Sequence, residues 1–269
     1  MMANPLLKAQ RRALSDAAWL KRLFARVIGS QEHPRGAVLN AYRRARKLAR
    51  GPVQAHDALG LALVLRQLRR ELTNIALEAT QEAQARGIES AALQVRAYDP
   101  TLALATPVTP ASTFAALWLA PLEQQEQELV GLLRLPGEHT TEILGDNQRA
   151  GLFTPAPLMI WAARALALTL QTAQRESWML LDAGWYKQAI AAIDERTTDC
   201  CLRVAGQIQP LGGLFKLHGT PRFADEMDWS PFHWNCRTSI CLYRHEFDDD
   251  LTAKLRRDVE KERERREKV

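Results

Sequence analysis

Leu61, Leu65, Leu68, Leu72, Ile75 and Ala79 step along the chain by four and three. On a helix this spacing gathers all six side chains into one stripe, the pattern of a seam packed against a second helix. The stripe predicts a long helix running to Gly87 and commits the first half of the chain to α-helix. Its apolar face asks for a helical neighbour rather than for a second copy of the chain.

The surrounding segments extend that reading. Leu20, Leu23, Phe24 and Val27 recur at helical spacing after Ser15 or Asp16, either of which suits an N-cap. A helix over 41–50 follows the His33–Gly36 turn and stops at Gly51-Pro52; it puts Arg43, Arg46, Lys47 and Arg50 on one face. Pro100, Pro107 and Pro110 mark a linker or extended crossing. Helix resumes near Thr113, and Pro121 suits the first turn of a further helix reaching Pro136-Gly137. A polar loop leads to a helix from Pro157 to about Leu181, which Gly184 stops.

The pattern changes after Gly184. "WYKQAIAAID" reads as a strand, with helix as the alternative its alanines allow, and "TTDCCLRVAGQIQP" as a short helical turn, Gly206 and a strand. "RTSICLYR" alternates as a strand does. The last residues are densely charged with both signs and read as a solvated helix or a tail. The expected class is α+β, predominantly α-helical. Four stretches follow: a basic helical region at 1–110, a helical region at 111–183, a small α+β module at 184–245, and a charged helix or tail at 246–269.

Charge divides the chain. Residues 1–70 carry 15 Lys and Arg against three acids; the remainder carries 21 against 28. A basic arm on a mildly acidic body points to a polyanion, double-stranded DNA foremost, held without sequence preference through Arg43, Arg46, Lys47 and Arg50; a solvated basic face is the competing account. No apolar run is long enough to cross a bilayer, so no membrane partner is expected. No apolar leader follows Met1, which points to the cytoplasm. There is no Gly-rich phosphate loop, no deaminase signature, and no helix-turn-helix or finger spacing.

The chemistry-bearing residues crowd together. Cys200, Cys201, Cys236 and Cys241 fall within one 42-residue stretch. His233 and Cys236 have the two-residue gap that lets a tight turn aim both side chains at one tetrahedral ion. A metal set of Cys201, His233 and Cys236 is one reading, with Cys200, Asp199, His218 or Cys241 as fourth ligand. Core cysteines around a satisfied histidine is another, and a Cys201–Cys236 disulfide a third.

"AIAAIDERTTDCCLRVAGQIQP" followed by "SPFHWNCRTSICLY" resembles the phage Mu F-like, or head morphogenesis, family of minor head proteins. The matching positions are Asp194, Arg196, Thr197, Cys201, Gly206, Pro231, His233, Asn235, Cys236 and Arg237, with Arg175 and Glu176 upstream in "AQRESW". The likeness covers residues 172–244. Thr198 and Thr238 stand where many members have cysteine, which removes two potential ligands and leaves zinc as one option beside a buried polar network of Asp194, Arg196, His233 and Arg237. The resemblance implies a non-enzymatic minor head protein associated with the portal and with capsid or scaffolding proteins. It implies a place inside the virion head near packaged DNA, after assembly in the host cytoplasm. A metal-dependent nuclease, or another DNA-binding protein with no capsid role, is the alternative. On either account the two motif halves must meet, because neither alone can bury Trp234, Ile193 and Ile240.

Overall fold

The computed structural model describes residues 4–29, 55–132, 156–181, 184–234, 236–247 and 250–267. Arg43, Arg46, Lys47, Arg50 and Asn235 lie outside them. The described chain is α+β and predominantly helical. Its helices are α1 (Pro5–Gly29), α2 (Ala55–Tyr98), α3 (Ala111–Leu132), α4 (Ala156–Ser177), α5 (Asp199–Val204) and α6 (Asp250–Glu267). Its strands are β1 (Tyr186–Ala191), β2 (Ile208–Pro210), β3 (Phe215–Lys216), β4 (Glu226–Met227) and β5 (Thr238–Tyr243). Among the described residues no helix is long and apolar enough to cross a membrane.

The chain groups into two compact units, each drawn from more than one stretch of sequence. One unit takes residues 22–81 and 111–166. Its core includes Leu65, Leu72 and Ala79 of the stripe and Ala76 beside it, with Trp118 and Leu122 of α3 and Leu166 of α4. Each leucine fully removed from water contributes about 2 kcal/mol. Arg66 Nε meets Glu126 Oε1 at 2.6 Å and Arg69 Nη2 meets Glu126 Oε2 at 3.2 Å, joining α2 to α3. Pro121 does not open a new helix: it lies inside the continuous α3.

The other unit takes residues 1–21, 82–110 and 167–269, and holds the whole Cys–His stretch. Gly87 does not end α2, which runs on to Tyr98. Gly87 is instead a point of close approach, where an added Cβ would lie 2.2 Å from the Leu170 carbonyl oxygen of α4. Asp16 is not an N-cap either. It is buried within α1, bound by Arg86 at 2.9 Å and by the Ser90 hydroxyl. Helix α4 ends at Ser177, short of Leu181, in a turn over Trp178–Leu180.

β1 is the middle of a three-stranded antiparallel sheet ordered β2-β1-β5. Its register pairs Gln188 with Ile208 on one side and Cys241 on the other. The two-residue period of a strand sends neighbours to opposite faces. Ala189, Ile240 and Leu242 therefore join a core with Trp178, Trp185, Phe215, Trp229 and Phe232, while Ile190 and Cys241 face α1 through Ala9 and Ala13. After α5, Gly206 adopts φ +81°, a left-handed conformation that glycine takes without strain, and its N–H reaches Ala189 O at 2.8 Å.

The outer edge of β5 is covered from α2. Gln94 Oε1 accepts from Leu242 N at 2.8 Å, and Tyr98 Oη donates to Leu242 O at 2.9 Å. Beneath the sheet, Lys187 of β1 is wholly buried. Its Nζ donates to Leu211 O at 2.8 Å and Asp228 O at 2.6 Å, and stands over the Trp229 and Phe215 rings at 4.9 and 5.3 Å.

Candidate functional site: a Cys–His–Cys cluster

Thr198 caps α5, its hydroxyl accepting from Cys201 N at 3.3 Å. Successive helical residues point about 100° apart. Cys200 therefore turns into the Trp178–Phe232 core while Cys201 turns to the other side, beside Leu202, Ala205 and Val259. The second motif half supplies a tight turn, with Cys236 N donating to His233 O at 3.3 Å. That turn points the His233 ring and the Cys236 thiol at Cys201.

Cys201 Sγ lies 2.9 Å from His233 Nε2 and 3.7 Å from Cys236 Sγ. Thr198 Oγ1 is also 2.9 Å from His233 Nε2. His233 Nδ1 is 2.6 Å from the Trp234 carbonyl oxygen, which can only accept, so Nδ1 carries a hydrogen. Nε2 is left to face Cys201 and Thr198. The Cys201 thiol is pulled below its ordinary range, first by Cys236 donating to it and then, against burial, by His233 and Thr198. Burial and the adjacent Cys201 push Cys236 upward. Burial, the largest single influence, lowers His233, but the bond to Cys201, the charge there and the bond to Trp234 O together raise it. The arrangement favours a thiolate at Cys201 held by the groups around it, Cys236 foremost.

A small cleft opens on this cluster, lined by Ala191, Arg196, Thr197, Thr198, Cys201, His233, Arg237 and Thr238. Thr238 is 2 % exposed, and its hydroxyl stands beside Cys201, adding to the pull on that thiol. The two threonines that replace expected cysteines thus both border the cluster.

Asp194 and Arg237 also meet. Arg237 Nη1 donates to Asp194 Oδ2 at 2.6 Å and Nη2 to Oδ1, a two-pronged pair across the motif halves. Arg237 holds the Asp194 carboxyl well below the usual carboxylate range. Arg196 N and Thr197 Oγ1 complete the loop around the carboxylate. This pair is exposed, and His233 is not part of it, so the expected single buried network resolves into two: the Asp194–Arg237 pair and the Cys–His cluster. Arg196 contributes its backbone to the pair, while its side chain lies exposed at the cleft. Pro231 is buried and precedes Phe232 of the core, following a cis peptide bond.

The four residues weighed as a fourth ligand do not join. Cys200 and Cys241 are fully buried in other apolar clusters, Asp199 pairs with Arg203 at 2.9 Å, and His218 is exposed. Among the described residues the metal-capable group has three members: Cys201, His233 and Cys236, with donor atoms all within 4.8 Å of one another. Trp234 is exposed rather than buried, edge-on to Phe223, while Ile240 is buried as expected.

The C-terminal helix is not simply solvated. Val259 packs beside Cys201 and Leu202, and Arg266 donates to Thr197 O at 2.6 Å and to Asp194 O at 2.9 Å. Nothing in the local sequence around Arg266 signals this, since its partners lie 69 and 72 residues away. Comparison with protein-family models, with curated proteins and with solved structures finds no match.

Proposed function

We propose that this chain is a minor head protein of the Mu F-like, head-morphogenesis kind. It would associate with the portal and with capsid or scaffolding proteins during assembly, and remain inside the head near packaged DNA. The observation that carries the reading is the meeting of the two motif halves: Asp194 with Arg237, and Cys201 with His233 and Cys236. Seven of the residues on which the resemblance rests, Asp194, Arg196, Thr197, Cys201, His233, Cys236 and Arg237, fall in two adjoining groups that bridge the motif halves, which supports treating the halves as a single module. The basic residues Arg43, Arg46, Lys47 and Arg50 would supply phosphate contacts. The protein should co-purify with its cognate portal protein at low salt and appear in purified heads at far fewer copies than the major capsid protein. Absence from heads and from portal complexes alike overturns the proposal. DNA affinity should fall with a log–log salt slope of about −0.9 per phosphate neutralised; unchanged binding when the four basic residues become Gln would dismiss that contact surface.

Within this reading the cluster holds zinc. Two sulfurs on one tetrahedral zinc stand about 3.8 Å apart and a sulfur and nitrogen about 3.6 Å. The Cys201–Cys236 separation of 3.7 Å fits. The Cys201–His233 separation of 2.9 Å is that of a hydrogen bond, and the ring must withdraw by about 0.7 Å to share an ion. Cys201, His233 and Cys236 are the residues that would hold the metal, and its contribution there is to tie the two motif halves. Metal analysis of protein purified without chelator tests this part separately from the head role.

A further inference from the structure

Cys201 and Cys236 belong to different motif halves, yet their sulfurs stand 3.7 Å apart. A disulfide requires about 2.05 Å, so less than about 2 Å of sulfur movement closes the pair. The surroundings add what oxidation needs. His233 Nε2 lies 2.9 Å from Cys201 Sγ, in place to hold the proton the thiol gives up. The cleft reaches Cys201, which is only 3 % exposed, and leaves room beside it for about one water-sized molecule. An opening this narrow turns away a bulky peptide disulfide and leaves only the smallest oxidants, hydrogen peroxide among them, to reach the Cys201 sulfur. The Thr238 hydroxyl, 2 % exposed, borders the same cleft and offers a polar contact to the incoming molecule. Cys200 and Cys241 are 0 % exposed and sit in apolar clusters away from the cleft, which makes the chemistry selective.

We propose that Cys201 and Cys236 form a hydroperoxide-driven disulfide that locks the two halves of the module together. In the first step the Cys201 sulfur attacks one peroxide oxygen. An S–O bond forms, the O–O bond breaks, and the departing hydroxide takes the proton lodged on His233 and leaves as water. In the second step the Cys236 sulfur attacks the Cys201 sulfenic acid. An S–S bond forms, the S–O bond breaks, and the hydroxyl leaves with the Cys236 proton as a second water. Two thiols and one hydrogen peroxide become one disulfide and two waters. The inference stands apart from the head role, since it needs only the geometry of the cluster, and it applies to the zinc-free state, because zinc and the disulfide claim the same two sulfurs.

The test treats full-length, chelator-washed protein with hydrogen peroxide, quenches it, unfolds it, and counts free thiols. The count should fall from four to two, with loss of two hydrogens in mass, a cross-linked peptide pair containing Cys201 and Cys236, and full reversal by dithiothreitol. In Cys236→Ser, a dione reagent should capture sulfenic acid on Cys201; in Cys201→Ser, Cys236 should stay unmodified; Cys241→Ser should cross-link as the parent does. Should Cys236→Ser fail to fold by circular dichroism, the peptide map of the parent protein decides. Four thiols surviving peroxide, a bridge to Cys200 or Cys241, or oxidation of Cys236 at the parent rate in Cys201→Ser each overturns the proposal.

Discussion

Arg266, near the end of α6, donates to the main-chain oxygens of both Asp194 and Thr197. One side chain thereby fastens the loop that carries the first motif half. Bonds of this kind from a charged donor contribute about 1–2 kcal/mol together when partly exposed. Arg266→Ala should lower stability by roughly that amount in urea titration and speed amide exchange over residues 194–198. Unchanged exchange there would show that the loop holds itself.

The Asp194–Arg237 pair makes an acid-sensitive contribution. Asp194 titrates lower in the folded chain than in the unfolded one. Its contribution is therefore complete above the ordinary carboxylate range near pH 4 and fades as pH falls below that. Because both partners are substantially exposed, screening limits the pair to about 1 kcal/mol. Asp194→Asn should cost that much at pH 7 and progressively less as pH falls below about 4, read from denaturant midpoints across that range.

Lys187 sits charged inside the sheet on two carbonyl oxygens and two aromatic faces. Lys187→Met leaves Leu211 O and Asp228 O without that donor and should cost about 2–4 kcal/mol. Burial lowers the ammonium to about 8 from an ordinary 10.5. A lysine with a depressed folded pKa makes stability rise as pH climbs from about 8 toward 10.5, since the unfolded chain binds more protons over that window. The Met variant should lack that rise. A stabilised Met variant would show that desolvation of the charge outweighs its bonds.

Gly87→Ala separates two opposed effects. Helix propensity favours alanine by about 1 kcal/mol. The contact with Leu170 opposes it, since a Cβ at 2.2 Å from the carbonyl oxygen forces the helices apart. Overpacking of this kind costs about 1–3 kcal/mol, so a net loss of stability is expected by thermal unfolding. A gain would mean that α2 and α4 move aside freely.

Metal retention should depend on Cys201 and not on Cys241. Elemental analysis should find zinc in the parent and in Cys241→Ser, and lose it in Cys201→Ser. Equal retention in both variants would remove Cys201 from the ligand set.

The helical class, the strand at "RTSICLYR" and the turn–glycine–strand around Gly206 were legible because period and turn chemistry are local. The end of α2 was misread at Gly87 for the same reason: a glycine looks like a stop until its neighbour is known, and Leu170 is 83 residues away. The approach of Cys201, His233 and Cys236 followed from motif order. Rejection of Cys200 and Cys241 as ligands did not, because it depends on which face of α5 and β5 each occupies. Arg266 was invisible, since a charged helix carries no mark of the carbonyls it meets. The role of Thr198 and Thr238 was half legible: both stood out as departures, but only coordinates place their hydroxyls beside Cys201 and His233.

Gln94 and Tyr98 occupy the outward N–H and C=O of Leu242 on β5. An unpaired strand margin is where one chain recruits another by adding a strand. At Leu242 those two groups are already engaged by the chain's own helix, so an incoming strand has to displace two side chains before it can bond there. Joining many copies or partners by sheet extension is therefore disfavoured along this margin, and neighbours are left to dock through side-chain surfaces.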